Sequence, residues 1–155
     1  MNNNQKNKLI AHALVKIGDK YLLIKRTPIK RGKPNSFPEY WDIPGGMVED
    51  GETPREAVIR EAKEEVNLDI SVGPILHEDS NLDKEKGTIF TRLVYQGELL
   101  NGESEKDIIL QEDEHSEYVL VDNINEVDKP VTYLNDVIEH ANIYKTGEKS
   151  FLNKN

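Results

Sequence analysis

The sequence predicts an α/β (α+β) domain, and three observations carry that prediction. Runs rich in β-branched and aromatic residues recur along the chain. One central segment carries a complete set of helix start and stop signals, and a second helical periodicity follows near the carboxyl end. At 155 residues the chain has ordinary single-domain size. The expectation is one domain over 1–155, with 1–7 and 146–155 frayed.

The first strand signal is LIAHALVKI (9–17) and the second YLLIKR (21–26), separated by the tight-turn pair Gly18-Asp19, so 8–26 reads as a hairpin. Residues 27–40, TPIKRGKPNSFPEY, are rich in Pro and Gly and read as a surface loop without regular structure. WDIP (41–44) is a short strand running into Gly45-Gly46. Thr53 can cap a helix with Pro54 at its first position, and Glu56 completes a capping box. Ala57, Val58, Ala62 and Val66 supply its apolar stripe, and Asn67 tolerates the left-handed conformation that stops it. Residues 69–80, 87–99 and 116–122 read as strands. In KPVTYLNDVIEHANIY (129–144), Val131, Leu134, Val137, Ile138 and Ala141 fall at helical spacing, with Pro130 in the first turn.

A net charge of -9 argues against an extended DNA or RNA footprint, which needs clustered Lys and Arg. Without cysteine there can be no disulfide, thiolate zinc site or cysteine nucleophile. The amino-terminal MNNNQKNK lacks an apolar signal core, and no run approaches a membrane span. The expectation is therefore a cytoplasmic protein with no membrane association.

On the central helix Glu61, Glu64 and Glu65 stand at i, i+3 and i+4, where like charges repel by a few tenths of a kcal/mol per pair. Taken alone, such a run is more often a solvated face than a site. Carboxylate oxygens on a rigid element are, however, what Mg2+ or Mn2+ prefers, and a bound dication turns the repulsion into coordination energy. Gly45-Gly46, directly after a strand, lets main chain approach a ligand closely.

Gly46, five residues, Glu52, seven residues, then REAKEE (60–65), Val66 and Asn67-Leu68 resembles the signature of the Nudix hydrolase family. The departures are Ala62 for a bulkier aliphatic and Asn67 for the terminal glycine; neither touches a carboxylate. The resemblance implies an α/β/α sandwich around a mixed sheet and cleavage of a nucleoside diphosphate linked to another moiety, with Mg2+, or Mn2+ in its place. It implies metal ligation by Glu61, Glu64, Glu65 and the Gly45 carbonyl, and a bracing ion pair between Glu52 and Arg60. Glu64, Glu65 and a late-loop acid, Glu114 of EHSEY, would be catalytic; His115 is the alternative base.

Lys25, Arg26, Lys30, Arg31 and Lys33 form the densest basic stretch, and the resemblance implies a phosphate-contacting arginine where Arg26 closes its strand, with a fork that fits two oxygens. Trp41 reads as core, with Phe37 and Tyr40 as stacking candidates. The expected partner is a small nucleotide, bound by a monomer or homodimer. The alternatives are a Nudix domain that senses nucleotides without cleaving them, and an unrelated fold whose REAKEE is a solvated face.

Overall fold

The structure, a computed structural model, describes residues 5–153, with side chains through residue 143. Strand β1 (Lys6–Ile17) turns at Gly18, where φ is +63°, into β2 (Lys20–Arg26). The hairpin is short: only Lys16↔Tyr21 and Ile17↔Lys20 pair before the strands part. Beyond that point β1 bonds β6 (Gly45–Met47), while β2 bonds β5 (Trp41–Asp42) and β9 (His115–Val121). This parting opens the sheet where the site is built.

On its other side β1 runs parallel to β8 (Thr88–Leu99), which is antiparallel to β7 (Ile70–Asp83). The mixed sheet has the path β5-β2-β1-β8-β7, with β6 on β1 and β9 on β2. In β7 the register shifts between Val72 and Ile75, so Gly73-Pro74 forms an irregularity inside one long strand.

Period-two alternation divides the core between two faces. Ala11, Ala13, Val15, Leu22 and Ile24 pack on one face with Ala57, Val58, Ala62 and Val66 of α1 (Pro54–Val66). Leu14, Leu23 and Val94 pack on the other with Leu134, Val137 and Ile138 of α2 (Leu134–Asn153). The result is an α/β/α sandwich. In α1 the Thr53 hydroxyl accepts from the Glu56 N–H, the Glu56 carboxylate accepts from the Thr53 N–H, and Asn67 ends the helix at φ 64°.

Four expectations are corrected. Residues 27–40 are not wholly irregular: β3 (Ile29–Lys30) and β4 (Lys33–Pro34) pair around Arg31-Gly32, both at positive φ, as a tight hairpin turn requires. Pro130 is not in the first turn of the last helix. Trp41 N–H donates to the Lys129 carbonyl and Val131 N–H to the Trp41 carbonyl, so 129–131 is held beside β5 and the helix starts at Leu134. Nor is the tail frayed from residue 146, since the helix backbone runs to Asn153. Lys6 and Asn7 are not frayed, because they pair with Thr88 and Ile89; residues 1–4 lie outside the described residues.

Candidate active site

The two glycines lie where backbone must pass close to other groups. A Cβ on Gly45 would lie 2.4 Å from the Ala11 carbonyl oxygen and 2.5 Å from the His12 ring, and one on Gly46 would lie 2.7 Å from Glu61 Oε1. At Gly45 the β1 backbone excludes a side chain, so β6 can lie against β1, whereas a side chain at Gly46 would have to displace the carboxylate of Glu61 on α1. The Gly45 N–H donates to Glu65 Oε2 at 2.7 Å.

The helical carboxylates divide by depth. Glu65 is 4% exposed, Glu61 is shielded beneath Gly46, and Glu64 stands at the rim with its side chain 53% exposed. Arg60 gathers the rest: its Nη2 and Nε donate to Glu52 at 2.7 and 3.1 Å, and its Nη1 to Glu61 at 3.0 Å and Glu64 at 3.3 Å. Nη2 also reaches the Met47 carbonyl at 3.3 Å. One guanidinium thus joins the β6 loop to α1.

Hydrogen bonds from Arg60 hold the Glu52 carboxyl down at about 2, against 4.5 ordinarily. A depressed carboxyl contributes stability that is present above its unfolded value and is lost as pH falls through the folded one. Arg60→Ala is therefore expected to lower Tm at pH 7 and to flatten the acid limb of the stability curve between about pH 4.5 and 2. Thermal melts across that range check both. An unchanged melt with impaired substrate binding alone would refute the bracing role.

The late loop closes the site from the far side of α1. Gln111 N–H donates to the Glu65 carbonyl, and the N–H groups of Glu114 and His115 both donate to the Gln111 carbonyl. Thr27 N–H donates to the Glu114 carbonyl, and its hydroxyl to that of Asp113. These bonds deliver ligand atoms of Glu65, Glu114 and His115 to within 4.8 Å of one another.

Burial, then the neighbouring charge of Glu61, pushes the Glu65 carboxyl well above the ordinary value, against the bond from Gly45. Burial also raises Glu61, although Arg60 opposes the shift. Burial drops the His115 imidazole to about 4. The other charged neighbours acting on Glu65, namely Glu114 and Asp42, share its sign. A buried carboxylate so placed lacks compensation, and a dication fits the chemistry of this donor set.

Glu65 and Glu114 lie on a cavity of about 760 Å³ that Gly45, Arg26, Arg92 and Tyr133 also line. Arg26 reaches it largely committed, donating to the Ser36 carbonyl and hydroxyl, Asn35 and Asp42. Most of the basic stretch is likewise paired in space, Lys25 with Glu117, and Lys30 and Arg31 with Glu114. Trp41 is core at 8% exposure; Phe37 is exposed on the cavity wall, edge-on to Tyr40.

Several residues of this wall escaped the sequence reading. Tyr133 donates to the buried Asp42 and lies under the Arg92 guanidinium at 4.1 Å, while Arg92 pairs with Asp79. The signal was available: His12 and Arg92 alternate in phase with Leu14 and Val94, so each is a polar residue on a strand face that α2 covers.

The family model described as NUDIX domain matches residues 7–144. The chain belongs to the Nudix family. Among curated relatives, the ADP-ribose pyrophosphatase of Methanocaldococcus jannaschii is 37% identical over 99 residues, covering 61% of this chain and 55% of that protein. The putative 8-oxo-dGTP diphosphatase 2 of Mycobacterium tuberculosis is 39% identical over 77 residues, covering 48% and 52%. The chain thus spans about half the length of these curated relatives. The MutT protein of Methanosarcina mazei superposes with a TM-score of 0.69 at 24% identity, over 92% of this chain and 97% of that one. The MutT Nudix hydrolase of Burkholderia pseudomallei gives 0.68 at 22%, over 87% and 98%, so both share the Nudix fold. No helix among the described residues is long and apolar enough to cross a membrane.

Proposed function

We propose that this Nudix chain is a dication-dependent pyrophosphohydrolase that cleaves a nucleoside diphosphate linked to another moiety. Its substrate is a nucleoside triphosphate or similar small nucleotide of the cytoplasm, bound by a monomer or homodimer. One observation carries the reading: Glu65, a buried carboxylate among like charges, stands at the wall of a cavity of about 760 Å³. The names of the relatives, an ADP-ribose pyrophosphatase and 8-oxo-dGTP diphosphatases, support the class.

Glu61, Glu64, Glu65 and the Gly45 carbonyl would hold the ion. When bound, Mg2+, or Mn2+ in its place, neutralises diphosphate charge and polarises the P–O bond. Glu114 accepts the proton of the attacking water, a role for which His115, dropped to about 4, is too weak a base at neutral pH. Lys30 and Arg31, now on Glu114, turn to phosphate oxygens as substrate enters. Arg26 holds Asn35 and Ser36 in place and keeps one Nη1 hydrogen for a phosphate. Phe37 offers an exposed ring to the base.

The test is release of phosphate and pyrophosphate from a panel of nucleotides, with metal-free protein and then with Mg2+ or Mn2+. Turnover is expected only with a dication, and each cleavage should leave a nucleoside monophosphate. Nucleotide binding by calorimetry without turnover under any dication would make the chain a sensor instead.

A further inference from the structure

The geometry points to His115 as a nitrogen ligand that, with Glu65 and Glu114, makes this end of the cavity a mixed nitrogen and oxygen site for a borderline transition dication of the Co2+ or Zn2+ kind. The inference rests on the dication-dependent reading above. It departs from that reading in the ligand set, since Glu65, Glu114 and His115 meet while Glu64 stays at the rim.

Distance comes first. Donor atoms that all lie within 4.8 Å of one another can share one ion at the ~2.0–2.2 Å of His and carboxylate ligation after modest side-chain movement. Rigidity comes second. His115 opens β9 opposite Arg26, its N–H is tied to the Gln111 carbonyl, and Glu65 is fixed by Gly45, so the donors sit on held backbone.

The imidazole itself is the third and independent observation. His115 is 4% exposed, and its Nδ1 is buried without a hydrogen-bond partner among the described residues. A buried ring nitrogen is normally satisfied, so an open one on a ring that also brings a ligand atom to two buried carboxylates marks a missing partner. Structural roles do not account for it: Glu114 is paired to Lys30 and Arg31, and no side chain among the described residues hydrogen-bonds the ring.

Imidazole favours zinc, iron and nickel-like ions over magnesium, which takes oxygen. His115→Gln replaces the nitrogen by an amide oxygen and should separate the two classes of ion. Calorimetry on the full chain is expected to show Co2+ affinity falling about 10- to 100-fold in His115→Gln, the scale of loss when a ligand's support is removed, with Mg2+ affinity changed little. Ring 15N NMR of the wild-type chain needs no variant: Zn2+ should move the His115 ring nitrogens and leave His140 unmoved.

Zn2+ binding with the His115 ring resonances unmoved would overturn the proposal. Equal losses of Co2+ and Mg2+ affinity in His115→Gln would do the same, as general damage to the site. If Mg2+ supports turnover while either of those results is found, only the nitrogen ligand falls. If no dication binds the wild-type chain, the functional reading falls with it.

Discussion

Glu65→Gln is expected to lower turnover by about 100- to 1,000-fold, as removal of one transition-state charge contact does, and yet to raise the Tm of the metal-free protein. The two effects share one cause. In the absence of an ion, Glu65 is a buried carboxylate facing Glu61, Glu114 and Asp42, so the folded state bears its charge at a cost. Glutamine keeps the shape and an oxygen to accept the Gly45 N–H. The stabilisation should be on the order of 1 kcal/mol, the scale on which uncompensated buried charge is relieved.

The pH dependence gives an independent check. A carboxyl raised in the folded state destabilises above its folded pKa, and the penalty is relieved as pH falls through that value. Metal-free wild type should therefore gain stability on acidification from alkaline pH, until protonation of His115 in the unfolded chain, from about 6.5 down to its folded value of about 4, opposes the gain. In Glu65→Gln most of the gain should vanish, leaving the share of Glu61. Differential scanning fluorimetry with and without Mg2+ measures both parts. A variant that is less stable without metal and still stabilised by Mg2+ would contradict the assignment.

Glu114→Gln is expected to cost about 100-fold or more in turnover at saturating metal, the range of a lost general base. Its fold should change little, because glutamine keeps the shape of the buried Glu114 side chain and what is lost is pairing to Lys30 and Arg31, both of which reach solvent. His115→Gln separates the two neighbours. If His115 is only a ligand, high metal concentration restores its activity, whereas Glu114→Gln, which loses the base as well as a ligand oxygen, stays impaired at any concentration. A large loss at saturating metal in the histidine variant alone would reverse the roles. The measurement is turnover against metal concentration and pH in both variants.

Legibility followed the range of the interactions. Helix α1 was readable to its caps, because Thr53, Glu56 and Asn67 act on backbone within three or four residues of themselves. Its buried stripe of Ala57, Val58, Ala62 and Val66 followed from periodicity. The β3–β4 turn was missed because a stretch dense in Pro and Gly hid two residues of strand on either side of Arg31-Gly32. The delayed start of α2 was missed because its cause lies in Trp41, far back in the chain.

By itself the sequence determined the spacing of the acids, the helix that carries them and the glycines that let main chain approach. Spacing alone treats Glu61, Glu64 and Glu65 as one face. Only the tertiary structure decided that Glu65 is buried, that Glu61 lies under Gly46 and that Glu64 stays at the rim with Arg60. Likewise, the basic stretch 25–33 looked unpaired along the chain until folding brought Glu114 and Glu117 to it. The physical reason is that burial, and with it the cost of a charge, depends on which distant segment covers the group. Here the cover is the 111–115 loop, fixed through Gln111 to α1 and through Thr27 to the end of β2.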